Sequence, residues 1–162
     1  MGEEVRIGRR DAVLIVSKRA SARLSEIGPV IGRAFGEAYG YLSARGIETA
    51  GPPFVIYHGM PVADDPFDVE ICAPVARTTD PPTGWQVREL PAGTFATLVH
   101  VGPYDTLGAA NDRLAAWIGD HALAIAGPPR EAYLSEPDTP PEQIRTTVEF
   151  PVLELATPAP TS

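Results

Sequence analysis

The segment Ala50-Gly51-Pro52-Pro53 recurs as Ala126-Gly127-Pro128-Pro129, at an offset of 76 positions. Two further identities share this offset, Tyr57 with Tyr133 and Pro61 with Pro137. Self-similarity at one fixed offset is the sequence signature of a duplicated structural unit, although a proline-rich chain can also produce a short match by chance. The sequence therefore predicts two repeats, the first at about residues 5–77 and the second at about residues 84–155.

Both predicted repeats show the same order of hydrophobic patterns. An apolar run rich in β-branched residues comes first, at 11–17 and again at 95–101, and it predicts a largely buried strand. A stripe of residues three and four positions apart then predicts a helix in each repeat, and Gly46 is placed to end the first one. The stripes are Leu24, Ile27, Ile31, Ala34, Phe35, Ala38 and Leu42, then Leu107, Ala110, Leu114, Trp117, Ile118 and His121.

Two more predicted strands follow each helix, at 54–59 and 67–75 in the first repeat and at 130–135 and 143–153 in the second. Each repeat therefore has the order strand-helix-strand-strand. Two such units predict an α+β fold of tandem pseudo-symmetric repeats, in which an antiparallel sheet carries two helices on one face and leaves the other face for another role. The segment 156–162 is rich in Pro and Thr and is expected to be a flexible tail.

Composition excludes several classes of protein. Of the 162 residues, 44% are apolar and 21% are charged, which is typical of a soluble globular domain. The net charge of -8 repels a phosphate backbone, so no direct nucleic-acid partner is expected. Cys72 is the single cysteine and cannot form an internal disulfide. Because neither a signal peptide nor a long apolar span is present, we expect a cytoplasmic protein without a membrane partner.

A family resemblance rests on the order and spacing of four segments: Leu90-Pro91-Ala92-Gly93, His100-Val101-Gly102-Pro103-Tyr104, Glu131-Ala132-Tyr133-Leu134 and Val148-Glu149-Phe150-Pro151-Val152. Together they resemble the GyrI-like small-molecule-binding family, which is also the effector-binding domain of MerR-type and AraC-type multidrug-sensing regulators. The resemblance implies a single GyrI-like domain at residues 1–155, with an aromatic-lined ligand cleft between the two repeats. No helix-turn-helix segment precedes this domain, so direct transcriptional control is not expected.

The resemblance also implies an acidic residue in the second repeat that faces cationic, lipophilic ligands, and Glu131 matches that position. Glu131 and Tyr133 are two positions apart on a predicted strand, so both side chains leave the same face of the sheet, whereas Arg130 points to the opposite face. A partly buried Glu131 must be hydrogen-bonded, have a raised pKa, or await a cation. The local sequence alone favours an exposed carboxylate on a solvated strand, and the family position reverses that preference.

Aromatic residues are the expected walls of the cleft, because aromatic faces attract cations as well as apolar surfaces. The candidates are Tyr57, Tyr133, Tyr41, Trp117 and Tyr104. The offset of 76 pairs Tyr57 with Tyr133 and Tyr41 with Trp117, which would bring each pair to related places about the cleft. Tyr41 and Trp117 also have helical spacing, so they are alternatively core residues of the two helices.

Glu70 and Glu149 are assigned to equivalent positions of the two repeats. Glu149 is expected to face solvent, and Glu70 either faces solvent or lies at the cleft rim as a further ligand-binding residue. His100 is either a general base or a histidine hydrogen-bonded to turn backbone, and Cys72 is expected to be a small buried hydrophobe. The three histidines are scattered, so neither a metal site nor a cofactor is predicted.

Three functions are consistent with this resemblance. The first is binding of hydrophobic, cationic or planar small molecules, for sensing or sequestration, with no catalysis. The alternative is a hydrolase that opens the cyclopropane rings of genotoxic natural products, in which Glu131 would position water and Tyr133 would assist at the developing enolate. The third is a protein-binding role like that of a gyrase inhibitor.

Overall fold

Nine strands and two helices form the part of the chain that the computed structural model describes, residues 4–59, 62–136 and 138–154. In chain order they are β1 (Val5–Arg10), β2 (Val13–Ala22), α1 (Ile27–Ala44), β3 (Phe54–Tyr57), β4 (Phe67–Pro74), β5 (Gln86–Leu90), β6 (Gly93–Val101), α2 (Leu107–Asp120), β7 (Leu123–Ile125), β8 (Arg130–Tyr133) and β9 (Arg145–Glu154). Pro61, Pro137 and the predicted tail at 156–162 lie outside the described residues.

The strands form an antiparallel sheet in the order β1-β6-β9-β8-β3-β4-β2-β5, and β7 pairs with the end of β9. Only two residues, 11–12, connect β1 to β2, although six strand spacings separate them in the sheet. A flat sheet would place them about 29 Å apart, whereas this connection reaches about 11 Å. The sheet is therefore curled, and residues 91–92 make a second short connection, from β5 to β6.

Both helices lie on the same face of the sheet, where α1 contacts β2 and β4 and α2 contacts β6 and β9. The core under α1 contains Ala38, Leu42, Val16, Val55 and Ile71. The core under α2 contains Leu114, Ile118, Leu98 and Val148. The predicted α+β class, with an antiparallel sheet and two helices, is confirmed.

The first helix ends where the sequence predicts, at a glycine in the left-handed conformation. Gly46 has a φ of 65°, and its N–H donates to the Ser43 carbonyl at 3.1 Å. The N–H of Ile47 donates to the Leu42 carbonyl at 3.0 Å, which completes a Schellman motif. Ile47 is 6% exposed, so the chain leaves the helix directly into the core.

The predicted order strand-helix-strand-strand is present in the first half as β2-α1-β3-β4, whereas the second half reads β6-α2-β7-β8-β9, with one additional strand after its helix. A structural superposition of the two repeats stays a prediction. The hydrophobic patterns did not predict β1, β5 or β7. Of these, β1 pairs with β6 and β5 pairs with β2. The position of each in the sheet therefore depends on a strand that is distant in sequence.

The sheet register corrects one equivalence that the sequence predicted. Glu70 lies opposite Ile56 of β3, and Thr147 lies opposite Ala132 of β8. Because Ile56 and Ala132 are 76 positions apart, the structural counterpart of Glu70 is Thr147. The predicted equivalence of Glu70 and Glu149 is therefore wrong by two residues, since the spacing between strands differs in the two halves.

Candidate functional site

Glu131 lies on β8 near the middle of the sheet, on the face that carries the helices. It is opposite Val55 of β3 on one side and Val148 of β9 on the other, and these two residues belong to the cores under α1 and α2. Glu131 is 8% exposed, so it is not the exposed carboxylate that its local sequence also allowed. Strand alternation places Tyr133 on the same face and Arg130 on the other, as predicted.

The Glu131 carboxylate accepts hydrogen bonds from neutral groups. The Tyr57 hydroxyl donates to Oε1 at 2.5 Å, and the Tyr133 hydroxyl donates to the same oxygen at 3.2 Å. The Asn111 side-chain amide, carried by α2, donates to Oε2 at 3.3 Å. Within residues 4–59, 62–136 and 138–154, no Lys or Arg forms an ion pair with this carboxylate. The Glu131 carboxylate therefore has neutral hydrogen-bond donors and, among the described residues, no cationic partner.

The two tyrosines remain protonated because of where they lie. Burial raises the pKa of Tyr57 well above its usual value, and the charge and hydrogen bond of Glu131 raise it further. Burial likewise raises the pKa of Tyr133, and the neighbouring Tyr57 and Glu131 add to that rise. Their hydroxyl oxygens are 3.4 Å apart. At neutral pH both phenols thus keep the protons that they donate to the Glu131 carboxylate.

Two further aromatic rings pack against Tyr133, which itself donates to the Glu131 carboxylate. The rings of Tyr104 and Phe35 meet the Tyr133 ring edge-on, at centroid distances of 5.9 Å and 6.1 Å. Tyr104 is 50% exposed and belongs to the single turn that precedes α2. We call Glu131, Tyr57, Tyr133, Tyr104, Asn111 and Phe35 the Glu131 cluster. Both helices and both halves of the chain contribute to it.

Sequence reasoning did not single out Asn111 or Phe35 for this cluster. Phe35 was assigned to the apolar stripe of α1, and its contact with Tyr133 follows from that stripe. Asn111 carries a clearer signal, because it is a polar residue one position after buried Ala110 and three before buried Leu114. A polar side chain on the buried face of a helix needs a hydrogen-bond partner inside the fold.

The structure places Tyr41 and Trp117 outside the Glu131 cluster. The Tyr41 hydroxyl donates to the Asp80 carbonyl at 2.5 Å. Trp117 stacks on His121 with ring centroids 3.8 Å apart and packs against the core under α2. Each lies six positions after a cluster residue of its own helix, which at 3.6 residues per turn rotates it by about 120° away from that residue.

Glu70 lies on the opposite face of the sheet and is also outside the Glu131 cluster. It is fully buried, and it accepts two hydrogen bonds from Arg88, at 2.6 and 2.9 Å, and one from Ser17 at 2.6 Å. His58 Nε2 is 2.8 Å from its Oε1. Burial acts to raise the pKa of Glu70, but the hydrogen bonds and charge of Arg88, together with Ser17 and His58, lower it to about 2.

Glu149 was expected to face solvent, and this expectation is wrong because the residue is 1% exposed. Glu149 lies on the face away from the helices, and the curl of the sheet buries that face. Its Oε2 is 2.5 Å from Nη1 of Arg10. Burial raises the pKa of Glu149, and the charges of Arg10 and Arg130 oppose that rise. Cys72 is fully buried, as expected for a small hydrophobe.

His100 occupies the turn region before α2. Its Nε2 is 2.7 Å from the Thr106 hydroxyl, which in turn donates to the Pro103 carbonyl at 2.8 Å. The histidine is thus linked to the turn through a side chain. The described ranges contain no group of three His, Cys, Asp or Glu residues arranged to hold a metal ion.

A family model for the GyrI-like small molecule binding domain matches residues 3–153. The chain belongs to the GyrI-like family. The structural neighbours of this GyrI-like domain include EcmrR, seen in an EcmrR–DNA complex, with a TM-score of 0.84 and 24% identity over 94% of the chain. The chain spans 58% of that EcmrR chain, and it covers 100% of the separate EcmrR C-terminal domain with a TM-score of 0.80 and 24% identity over 96% of its own length.

Two more distant neighbours share the GyrI-like fold. A hydrolase encoded by lin2189 from Listeria innocua has a TM-score of 0.68 and 12% identity, over 93% of this chain and 92% of that one. SAV2435 bound to tetraphenylphosphonium has a TM-score of 0.62 and 14% identity, over 93% and 94%. At such identities the likeness establishes the fold. No curated protein sequence matches the chain, and neither described helix is long and apolar enough to cross a membrane.

Proposed function

We propose that this GyrI-like domain binds lipophilic organic cations at the Glu131 cluster. The observation that carries the proposal is the bonding of Glu131, whose carboxylate is 8% exposed and hydrogen-bonded to Tyr57, Tyr133 and Asn111 but to no cationic group of the described chain. Burying a charge is costly unless an opposite charge compensates it. A bound cation would supply that compensation from outside.

The surroundings of the carboxylate favour a bulky, delocalised cation over a small ammonium ion. Tyr104, Tyr133 and Phe35 present aromatic rings, and each ring face attracts a cation by about 0.5–2 kcal/mol, depending on desolvation. A delocalised cation also loses little hydration free energy on entering such a site. SAV2435, which has the same fold, was solved with tetraphenylphosphonium bound, and this supports that cation as the first probe.

Entry of such a ligand requires the cluster to open. Its side chains contact one another in this structure, and Tyr104 is the member with half of its surface exposed. Tyr104 belongs to a three-residue helical turn between Pro103 and α2, so a shift of this turn would uncover Tyr133 and Glu131. We therefore expect tetraphenylphosphonium to displace the Tyr104 ring from its edge-on contact with Tyr133.

Calorimetric titration with tetraphenylphosphonium tests the proposal. We expect micromolar affinity for the wild type, which corresponds to about -8 kcal/mol. Glu131→Gln keeps the shape and removes the charge, so it should weaken binding by about 1–3 kcal/mol. Glu89→Gln is the matched control, because Glu89 is exposed on β5 and its substitution removes the same charge.

A neutral ligand separates charge from shape in this experiment. Triphenylphosphine oxide carries similar phenyl groups without a net charge, and its affinity should change little in Glu131→Gln. Equal losses for the charged and the neutral ligand would mean that Glu131 acts through structure alone. Absence of tetraphenylphosphonium binding to the folded wild type would contradict the proposal itself.

A second candidate function is hydrolysis of a strained ring, and the alignment of two phenols on one carboxylate favours it. In a cyclopropane conjugated to a carbonyl group, Glu131 would accept a proton from water while the water oxygen bonds to a ring carbon and the carbon–carbon bond breaks. Tyr133 or Tyr57 would donate a hydrogen bond to the enolate oxygen that forms, and protonation of the enolate completes addition of one water. A neighbour of this fold is described as a hydrolase.

Mass spectrometry of such a compound incubated with the protein distinguishes the two functions. Hydrolysis predicts a product heavier by one water molecule, loss of most turnover in Glu131→Gln with binding retained, and a smaller loss in Tyr133→Phe. General acid–base groups typically contribute about 10²–10⁴ in rate, which sets the scale of the loss. A compound that binds stoichiometrically and is recovered unchanged would leave binding as the function.

A further inference from the structure

A cavity of about 440 Å³ lies on the face of the sheet opposite the Glu131 cluster. Its lining includes Arg10, Val13, Phe54, Phe95, Arg130 and Glu149. The cavity exists because the sheet curls, which brings Arg10 of β1 and Val13 of β2 to the same rim through their two-residue connection. Its volume lies within the usual range for sites that bind small molecules.

Arg130 gives this cavity a partly buried cationic group that can recognise a ligand. Its guanidinium lies between two aromatic rings, 4.6 Å from the Phe95 centroid and 5.6 Å from the Phe54 centroid. Its Nε is buried and has no hydrogen-bond partner. A buried donor without an acceptor is costly, and guanidinium groups match the oxygen atoms of carboxylates.

Apart from exposed Asp11, the cavity lining has more cationic than anionic side chains, so it can accommodate an anionic ligand. Arg10 contacts Glu149 at 2.5 Å, and the Arg10 side chain is 45% exposed while that of Glu149 is 2% exposed. Two guanidinium groups therefore meet one buried carboxylate. The remaining charged residue of the lining, Asp11, is exposed in the turn between β1 and β2, where water screens its charge.

We propose that this cavity binds a small aromatic carboxylate. The ligand's carboxylate would lie between the guanidinium groups of Arg10 and Arg130, and its ring would pack on Phe54, Phe95 and Val13. The site is separate from the Glu131 cluster because it lies on the opposite face of the sheet. One domain would thus hold an organic cation on its helical face and an organic anion inside the curl.

Titration with benzoate, followed by amide chemical shifts, tests this assignment. We expect saturable shifts at Val13 and Phe95, and no saturable shift at Asn111 of the Glu131 cluster. Benzamide and benzylamine have the same ring without a negative charge, and they should bind at least tenfold more weakly. Saturable binding of benzylamine as tight as that of benzoate, or benzoate shifts confined to the helical face, would overturn the proposal.

Two matched arginine variants show which positive charge contributes to benzoate binding. Arg10→Gln should weaken benzoate binding about tenfold, whereas Arg9→Gln removes the same charge from the neighbouring exposed residue of β1 and should leave it unchanged. Arg130→Lys keeps the charge but removes the planar guanidinium that pairs with a carboxylate, and it should also weaken benzoate binding. Equal effects of Arg10→Gln and Arg9→Gln would show a general charge effect and overturn the assigned site.

A further variant should change benzoate affinity in the opposite direction. Glu149→Gln removes the carboxylate that competes for Arg10, so benzoate should bind several-fold more tightly. Damage to the fold cannot produce tighter binding, and a thermal melt of each variant verifies that it is folded. Weaker benzoate binding by a folded Glu149→Gln protein would contradict the proposed competition.

Discussion

Glu131 and Glu70 are two buried carboxylates of one sheet, and they differ in the face on which they lie and in the charge of the groups that bond to them. Glu70 faces the inside of the curl and is bonded to Arg88, so its charge is neutralised within the chain. Glu131 faces the helices and is bonded to two phenols and an amide, all of them neutral. Glu70 thus stabilises the fold on one face of the sheet. On the other face, Glu131 binds a cationic ligand in our proposal.

The contrast between the two carboxylates predicts that Glu70 depends on its cation for stability. Arg88→Met leaves Glu70 buried without its partner, and breaking such a pair costs about 3–5 kcal/mol. We expect a loss of about 3 kcal/mol in the free energy of unfolding, the lower end, because the Arg88 side chain is 36% exposed. Urea denaturation measures it.

The control for that substitution is Arg33→Met on the exposed side of α1, which should change the free energy of unfolding by less than about 0.5 kcal/mol. Similar losses for the two variants would mean that Glu70 does not depend on Arg88. The contrast with Glu131 would then lose its physical basis.

Acid should reveal the same dependence of the fold on ionised Glu70. Its pKa in the folded protein is about 2, below the ordinary value of 4.5, so the stabilisation is present above pH 4.5 and is lost as pH falls towards 2. This shift corresponds to about 3 kcal/mol in the free energy of unfolding. Urea denaturation of the wild type and Glu70→Gln across this range isolates the contribution of Glu70, and identical pH dependence in both proteins would refute it.

A smaller effect is expected for the neutral donors of Glu131. Tyr57→Phe removes the hydroxyl 2.5 Å from the carboxylate and should cost about 2 kcal/mol, since hydrogen bonds to charged groups are stronger than neutral ones. Tyr41→Phe removes a hydroxyl that donates to a neutral carbonyl and should cost about 1 kcal/mol. Thermal and urea denaturation compare them, and a larger loss for Tyr41→Phe would count against the charged state of Glu131.

Local periodicity predicted both helices and six of the nine described strands. Alternation placed Glu131 and Tyr133 on one face of the sheet and Arg130 on the other, because that relation depends on neighbouring residues alone. It could not predict that the other face is also buried, since the curl of the sheet follows from pairing between distant strands. The exposure expected for Glu149 was wrong for this reason.

The candidate site was harder to predict than the fold. The duplicated Tyr57 and Tyr133 were expected in the cleft, and the structure brings both to Glu131. Tyr41 and Trp117 were chosen on the same argument, but rotation about the helix axis places them elsewhere. Asn111 was missed because a single polar residue in an apolar stripe gains its meaning only once its partner across the sheet is known.

Because the connections at 11–12 and 91–92 are short, each half of the chain also contributes one strand to the sheet of the other half. β1 begins the first half yet pairs with β6, and β5 begins the second half yet pairs with β2. A fragment of one half would lose the strand that covers its sheet edge, and open edges promote association. Two separately produced halves should therefore associate by exchanging strands β1 and β5. In this sense the single chain resembles a strand-swapped dimer whose two halves are covalently joined.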